Sequence, residues 1–156
     1  MSKLKLAIIG SKSMVGSRFC ELATPNFKII PVDLNGDLSV DITDRKEVSA
    51  FCKEYEFDWA LLFAAFTDVD RAEEQRNDRN SSCWQINVEG TRNVAVACKK
   101  YRRNLLFMST DFVFDGTGGP YLEDDPQGPD LRKVSWYGIT KIEAEKLIKK
   151  TLPSYL

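Results

Sequence analysis

The chain has 156 residues, 43% of them hydrophobic, which suits one domain with a sizeable core and is too short for two. Its 22 basic and 23 acidic residues leave a net charge of −1, so no basic field marks it for a nucleic-acid polymer or a membrane surface. Histidine is absent, which excludes any His-dependent triad and any His-ligated metal site.

Leu4 to Ile9 is a short apolar run bounded by Gly10, the pattern of a strand buried on both faces. Met14 to Leu22 has helical spacing, and Phe27 to Val32 forms a second strand that ends at Asp33. A turn follows at Asn35-Gly36, then a short third strand over Leu38 to Val40. Thr43 is placed to cap a helix from Asp44 to Tyr55, with Glu47 near the reciprocal capping position. Trp59 to Ala65 is a fourth strand, and the charged segment Asp70 to Asp78 leads to a long helix over Ser82 to Tyr101. Leu105 to Met108 is a fifth strand. The stretch from Asp115 to Lys133, rich in Gly, Pro and Asp, reads as a long loop over a site, and Ser135 to Lys150 as the last helix, stopped near Pro153.

Strands alternating with helices predict a doubly wound parallel sheet in a three-layer α/β/α arrangement, Rossmann-like, with strand order 3-2-1-4-5. Gly10, Asp33, Ala64, Ala65 and Ser109 to Asp111 all follow strand ends, so they converge on the carboxyl edge where such sheets bind ligands. No apolar run approaches the ~20 residues of a membrane span. No secretory signal is visible, so a cytoplasmic location is expected. Cys20, Cys52, Cys83 and Cys98 are widely spaced and fall mostly within predicted helices, which reads as reduced thiols; no disulfide frame and no metal are expected.

The loop from Gly10 through Ser13, Met14 and Val15 to Gly16 joins the first strand to the first helix, where glycines allow close approach of a pyrophosphate to free N–H groups. A plain tight turn is the alternative. Asp33 stands where a carboxylate accepts adenosine ribose hydroxyls, or is a solvated turn residue. A carboxylate there repels a 2′-phosphate and favours NAD, whereas Lys12, Arg45 and Lys46 offset it; the cofactor is read as NAD(H) or NADP(H). Asp41 and Ile42 either contact adenine or belong to the helix cap. Ala64 and Ala65 suit close passage of a cofactor or ordinary core packing. Asn87, disfavoured inside a helix, suggests a polar role near the site. Tyr137 and Lys141, four apart, share one helical face, and a cation there favours the phenolate, moving the Tyr pKa from about 10 toward neutrality. A general acid works best there.

Phe66-Thr67-Asp68-Val69-Asp70-Arg71-Ala72-Glu73, Asn87-Val88-Glu89-Gly90-Thr91, Ser109-Thr110-Asp111-Phe112-Val113-Phe114-Asp115-Gly116 and Tyr137-Gly138-Ile139-Thr140-Lys141 resemble the extended short-chain dehydrogenase/reductases, within them the dTDP-4-dehydrorhamnose reductase type. The resemblance runs from Leu4 to about Leu147. It implies a nicotinamide cofactor delivering hydride to the C4 ketone of a nucleotide-diphospho sugar, in the pathway to dTDP-rhamnose. It implies Tyr137 as proton donor, Lys141 holding the nicotinamide ribose and lowering the Tyr137 pKa, and Thr110 bonding the carbonyl oxygen. Thr67, Asn87 and Ser109 fall among the implied cofactor contacts. Ser13 stands for the middle glycine of the family loop, Leu62 for a usual Asn, and Phe112 for a common Tyr.

Members of that family continue beyond the Tyr-Lys helix for about as many residues again. Residues 1–156 are therefore expected to be a cofactor-binding domain truncated relative to the family and lacking its C-terminal substrate region. The open edge of the last strand or the outer faces of the last helices are expected to meet a second copy or a partner chain. Two other functions remain open. One is a non-catalytic cofactor-binding module, similar to the reductase-like regulatory subunit of methionine adenosyltransferase. The other is sugar-nucleotide epimerisation or dehydration, for which Asp111 beside the catalytic hydroxyl is the pointer.

Overall fold

The computed structural model describes residues 3–153. Strands β1 (Lys5–Ile9), β2 (Lys28–Val32), β3 (Trp59–Leu62) and β4 (Asn104–Phe107) form one parallel sheet in the order β2-β1-β3-β4. Alternation of side chains sends Leu6 and Ile8 of β1, with Leu61 of β3, to one face, where Phe19 and Cys20 of α1 (Met14–Ala23) meet them. Ala7, Ile9, Ala60, Leu62 and Leu105 point the other way. There they pack with Val48 and Phe51 of α2 (Arg45–Glu54) and Val94, Ala95 and Cys98 of α5 (Thr91–Tyr101). Both faces are thus covered, which is why the strands read as unbroken apolar runs. Phe57, just before β3, is 1% exposed and stacks on Phe51 at 5.4 Å.

The expected third strand is not formed. Residues 38–40 meet β2 through one parallel bridge, Asp33 to Ser39, so the expected order 3-2-1-4-5 becomes 2-1-4-5 in that numbering. The reason lies in β2. Lys28 donates its N–H to Leu4 and Val32 accepts from Gly10, so residues 29, 31 and 33 face outward. Position 31 is Pro, which has no N–H for an outer neighbour, and pairing resumes only at Asp33.

Three further departures concern helices. Asp44, not Thr43, caps α2, its carboxylate accepting from the N–H groups of Lys46 and Glu47, while Glu47 reaches back to the Asp41 N–H at 2.8 Å. The charged segment after β3 contains a helix that the sequence reading missed, α3 (Val69–Glu74), with Asp68 accepting from the Arg71 N–H. The long helix expected from 82 to 101 is interrupted. A short α4 (Ser82–Trp84) passes into a π-helical stretch, Gln85–Gly90, before α5 begins. Gly90 lies against Ile42; a Cβ on it would stand 2.8 Å from Ile42 Cδ1. The last helix, α6 (Trp136–Thr151), packs on α5 and is capped by Ser135, whose hydroxyl accepts from the Gly138 N–H at 3.1 Å.

α5 ends at Arg102, a non-glycine residue in the left-handed region at φ 56. Arg102→Gly is therefore expected to stabilise the chain by about 0.5–1 kcal/mol in urea unfolding, because glycine adopts that C-cap conformation without a Cβ penalty. The four cysteines are free thiols, with Cys52, Cys83 and Cys98 buried. Among the described residues no helix is long and apolar enough to cross a membrane. No group of three or more His, Cys, Asp or Glu is placed among them to hold a metal ion.

Candidate active site

A cleft of about 670 Å³ opens at the carboxyl edge of the sheet. The expected residues Gly10, Ser13, Asp33, Asp41, Ile42, Ala64, Ala65 and Thr67 all line it. Gly10 follows β1 at φ +90, and a Cβ there would collide with the Ala64 backbone nitrogen, so only glycine lets the turn pass this close to the end of β3. Gly16 is buried behind the loop; a Cβ on it would run into the Gly10 carbonyl oxygen.

Ser13, read from the sequence as standing for a glycine, acts as the α1 N-cap. Its hydroxyl donates to Gly10 O at 2.7 Å and accepts from the Gly16 N–H at 3.0 Å. The substitution thus exchanges backbone freedom for a helix cap. Met14 is 87% exposed, and it and the exposed Val15 are not among the side chains that line the cleft. Asp33 accepts from the backbone N–H groups of Lys12 and Asn35, and the Lys12 ammonium donates to Asn35 O. A carboxylate and an ammonium therefore share this rim. Asp41 turns its carboxylate to the Thr43 N–H and hydroxyl and its N–H to Glu47, contacts at the start of α2, while it also stands on the cleft wall.

The sequence reading missed Gln85 and Ile86, which also line the cleft. They come from the π-helical stretch, whose wider turn no regular helical spacing shows; such insertions recur at functional sites.

Thr110, Tyr137 and Lys141 gather at the end of β4 and the start of α6. Tyr137 is half-buried, its ring edge-on to Phe112 at 5.9 Å. The expected lowering of its pKa by Lys141 is not what the structure shows. Burial pushes the phenol up from its ordinary value, the neighbouring Thr110 hydroxyl opposes this, and the Asp111 carboxylate adds to the rise. Lys141 is 3% exposed and turned elsewhere: its Nζ donates to Met108 O at 2.5 Å and sits 4.0 Å from the centre of the Phe107 ring. Thr110 caps the short 3₁₀ turn Asp111–Val113, accepting from the Phe112 N–H at 3.2 Å. Ser109 is exposed and donates to Glu145.

Burial brings the Lys141 ammonium down from 10.5 to about 8, with Glu145 acting the other way. Below about pH 8 the folded chain therefore carries a desolvated charge that the unfolded chain hydrates freely. That penalty lifts as pH rises from about 8 toward 10.5, where only the unfolded state still binds the proton. Lys141→Met is expected to raise stability at pH 7 by about 1–2 kcal/mol, after loss of the Met108 and Phe107 contacts, and to flatten the rise above pH 8. Urea unfolding at pH 7 and pH 9.5 reads both.

Asn87, expected at the cofactor, lies beneath the site instead. It is 2% exposed; its Oδ1 accepts from the Phe66 N–H at 2.8 Å, and its Nδ2 donates to Phe66 O and to Thr140 Oγ1, each at 3.0 Å. It joins the segment leading to Thr67, on the cleft wall, to the α6 turn that carries Tyr137 and Lys141.

The sheet order, the glycine turn and the polar groups at the carboxyl edge define a Rossmann-like α/β domain, and similarity to known proteins places it among the short-chain dehydrogenase/reductases. Within that class the chain belongs to the family of the RmlD substrate binding domain, whose family model matches residues 4–156. It is 35% identical over 147 residues to a dTDP-4-dehydrorhamnose reductase of Streptomyces griseus, covering 94% of this chain and 45% of that one. A crystal structure of dTDP-4-dehydrorhamnose reductase from Bacillus anthracis in complex with NADP superposes with a TM-score of 0.86 at 30% identity, over 99% of this chain and 52% of that one. An orthologue from Clostridium acetobutylicum gives 0.83 at 30% identity, covering 97% and 51%. The chain spans about half the length of the relatives it matches.

Proposed function

We propose that residues 1–156 form the cofactor-binding and proton-donating part of an NAD(P)H-dependent reductase of a 4-keto nucleotide-diphospho sugar. The observation that carries this reading is a half-buried phenol, Tyr137, held beside Thr110 and one helical turn from Lys141, at the same sheet edge as a glycine-turn cleft. The cleft residues fit a dinucleotide: the walls at Ala64 and Ala65 are small, and Gly10 and Ser13 bring backbone to its floor. Asp33 would accept ribose hydroxyls, while Lys12 on the same rim would meet a 2′-phosphate; NAD(H) and NADP(H) are both accommodated by this chemistry.

When bound, the reduced nicotinamide supplies the hydride that adds to the C4 ketone carbon. Tyr137 carries a phenolic proton at neutral pH, as any tyrosine does, and it gives that proton to the ketone oxygen as the carbon is reduced. The Thr110 hydroxyl donates a hydrogen bond to the same oxygen. Lys141, its ammonium held by Met108 O one helical turn from Tyr137, would be the group to hold the nicotinamide ribose. β4 has no neighbour on its outer side among the described residues, which makes that edge, with the outer faces of α5 and α6, the surface offered to a second copy or partner chain.

The test is fluorescence titration of the full chain with NADPH and NADH, followed by addition of dTDP-4-keto-6-deoxy sugar while nicotinamide absorbance is monitored. Saturable binding and cofactor oxidation that depends on the sugar nucleotide are expected. Absence of binding by either cofactor would overturn the reading.

A further inference from the structure

Tyr137, Lys141 and Glu145 lie four residues apart on one stripe of α6, which faces the end of β4 and the loop of residues 115–133. Glu145 is mostly buried, and both of its carboxylate oxygens accept hydrogen bonds: Oε1 from Ser109 Oγ and Oε2 from Gln127 Nε2. Lys149 Nζ lies 3.9 Å from Oε2. Ser109 immediately precedes Thr110, and Gln127 belongs to the long loop.

That loop carries its own internal frame. The Asp115 carboxylate accepts from the Thr117 N–H and hydroxyl, the Tyr121 hydroxyl and the Asp130 N–H, and Phe114 stacks on Tyr121 at 4.4 Å. These contacts join the loop to itself. Among the described residues, the bond from Gln127 to Glu145 is the hydrogen bond that ties it to α6.

We propose that Glu145 is a positioning residue: by gripping Ser109 with one oxygen and Gln127 with the other, it latches the loop onto α6 and sets where Thr110 stands relative to Tyr137. An exposed ion pair would contribute little. A shielded carboxylate with a donor on each oxygen, drawn from two separate segments, holds far more geometry. The role in positioning rests on the reductase reading above; the latch itself does not.

Hydrogen exchange measured by mass spectrometry on the full chain tests the latch without turnover. In E145A, and independently in Q127A, the amides of residues 116–130 are expected to exchange about tenfold faster or more, with the sheet unaffected. The double variant E145Q/Q127E exchanges donor and acceptor across the same pair and is expected to return that rate to within about threefold of the parent. The kinetic counterpart is a fall in kcat with little change in KM for the reduced cofactor, recovered in the double variant. Unchanged loop exchange in both E145A and Q127A would overturn the latch while leaving the Tyr137 reading intact. Faster loop exchange at an unaltered kcat would overturn the positioning role. Absence of turnover in the parent chain bears on the reductase reading alone, since exchange still reads the latch.

Discussion

Replacing Tyr137 with Phe is expected to lower turnover by about 100- to 10,000-fold, the usual scale for a general acid. The substitution keeps the ring, and with it the edge contact to Phe112 and the packing against the main core, so the fold is expected to persist. What is lost is the half-buried phenolic hydroxyl beside Thr110, and with it the proton the mechanism needs. Cofactor affinity is expected to change little, because the cleft of Gly10, Asp33, Ala64 and Thr67 is lined without Tyr137. Parallel measurement of kcat and of cofactor Kd by fluorescence separates the two effects. A variant turning over at the parent rate would remove Tyr137 from the chemistry.

Asn87→Leu is expected to be the most disruptive change outside the reacting groups, costing about 2–4 kcal/mol in urea unfolding. The side chain satisfies both the N–H and the C=O of Phe66 and also donates to Thr140 Oγ1, all away from solvent. An apolar replacement leaves two backbone groups without partners, at about 1–3 kcal/mol for each buried group. The consequence reaches the site from both sides, since Phe66 leads to Thr67 on the cleft wall and Thr140 sits between Tyr137 and Lys141. Weaker cofactor binding is therefore expected alongside the lost stability. An unfolding free energy within about 0.5 kcal/mol of the parent would show that water replaces the amide and that the joint is not structural.

These residues also show where sequence reasoning reached and where it stopped. The apolar runs ending at Gly10, Asp33, Ala65 and Met108 reveal the carboxyl edge, because burial on both faces leaves a continuous signal, and the residues at the first three of those ends line the cleft. The third strand was misread because Leu38 to Val40 has strand-like side chains, while the obstacle sits in the neighbouring strand at Pro31, where a missing donor acts across the sheet. Asn87 was recognised as out of place in a helix, but its partners, Phe66 and Thr140, lie far away in sequence, and no local pattern pairs them. The Tyr137 shift was predicted with the wrong sign for a related reason. Spacing alone put Lys141 on the same face, whereas packing turned its ammonium onto Met108 O and left burial as the dominant influence on the phenol. Periodicity reports which face a residue occupies; it does not report which partner its charged end finds.

The most direct measurement follows the hydride itself. The full chain is incubated with NADPH, and with NADH, carrying deuterium at the transferable position of the nicotinamide, together with a dTDP-4-keto-6-deoxy sugar, and the nucleotide sugar is recovered for mass analysis. A reduced sugar carrying one deuterium at C4 is expected from the parent chain and is expected to be lost in Tyr137→Phe. A cofactor-bound chain that returns the ketone unreduced, or a product lacking the label, would contradict it.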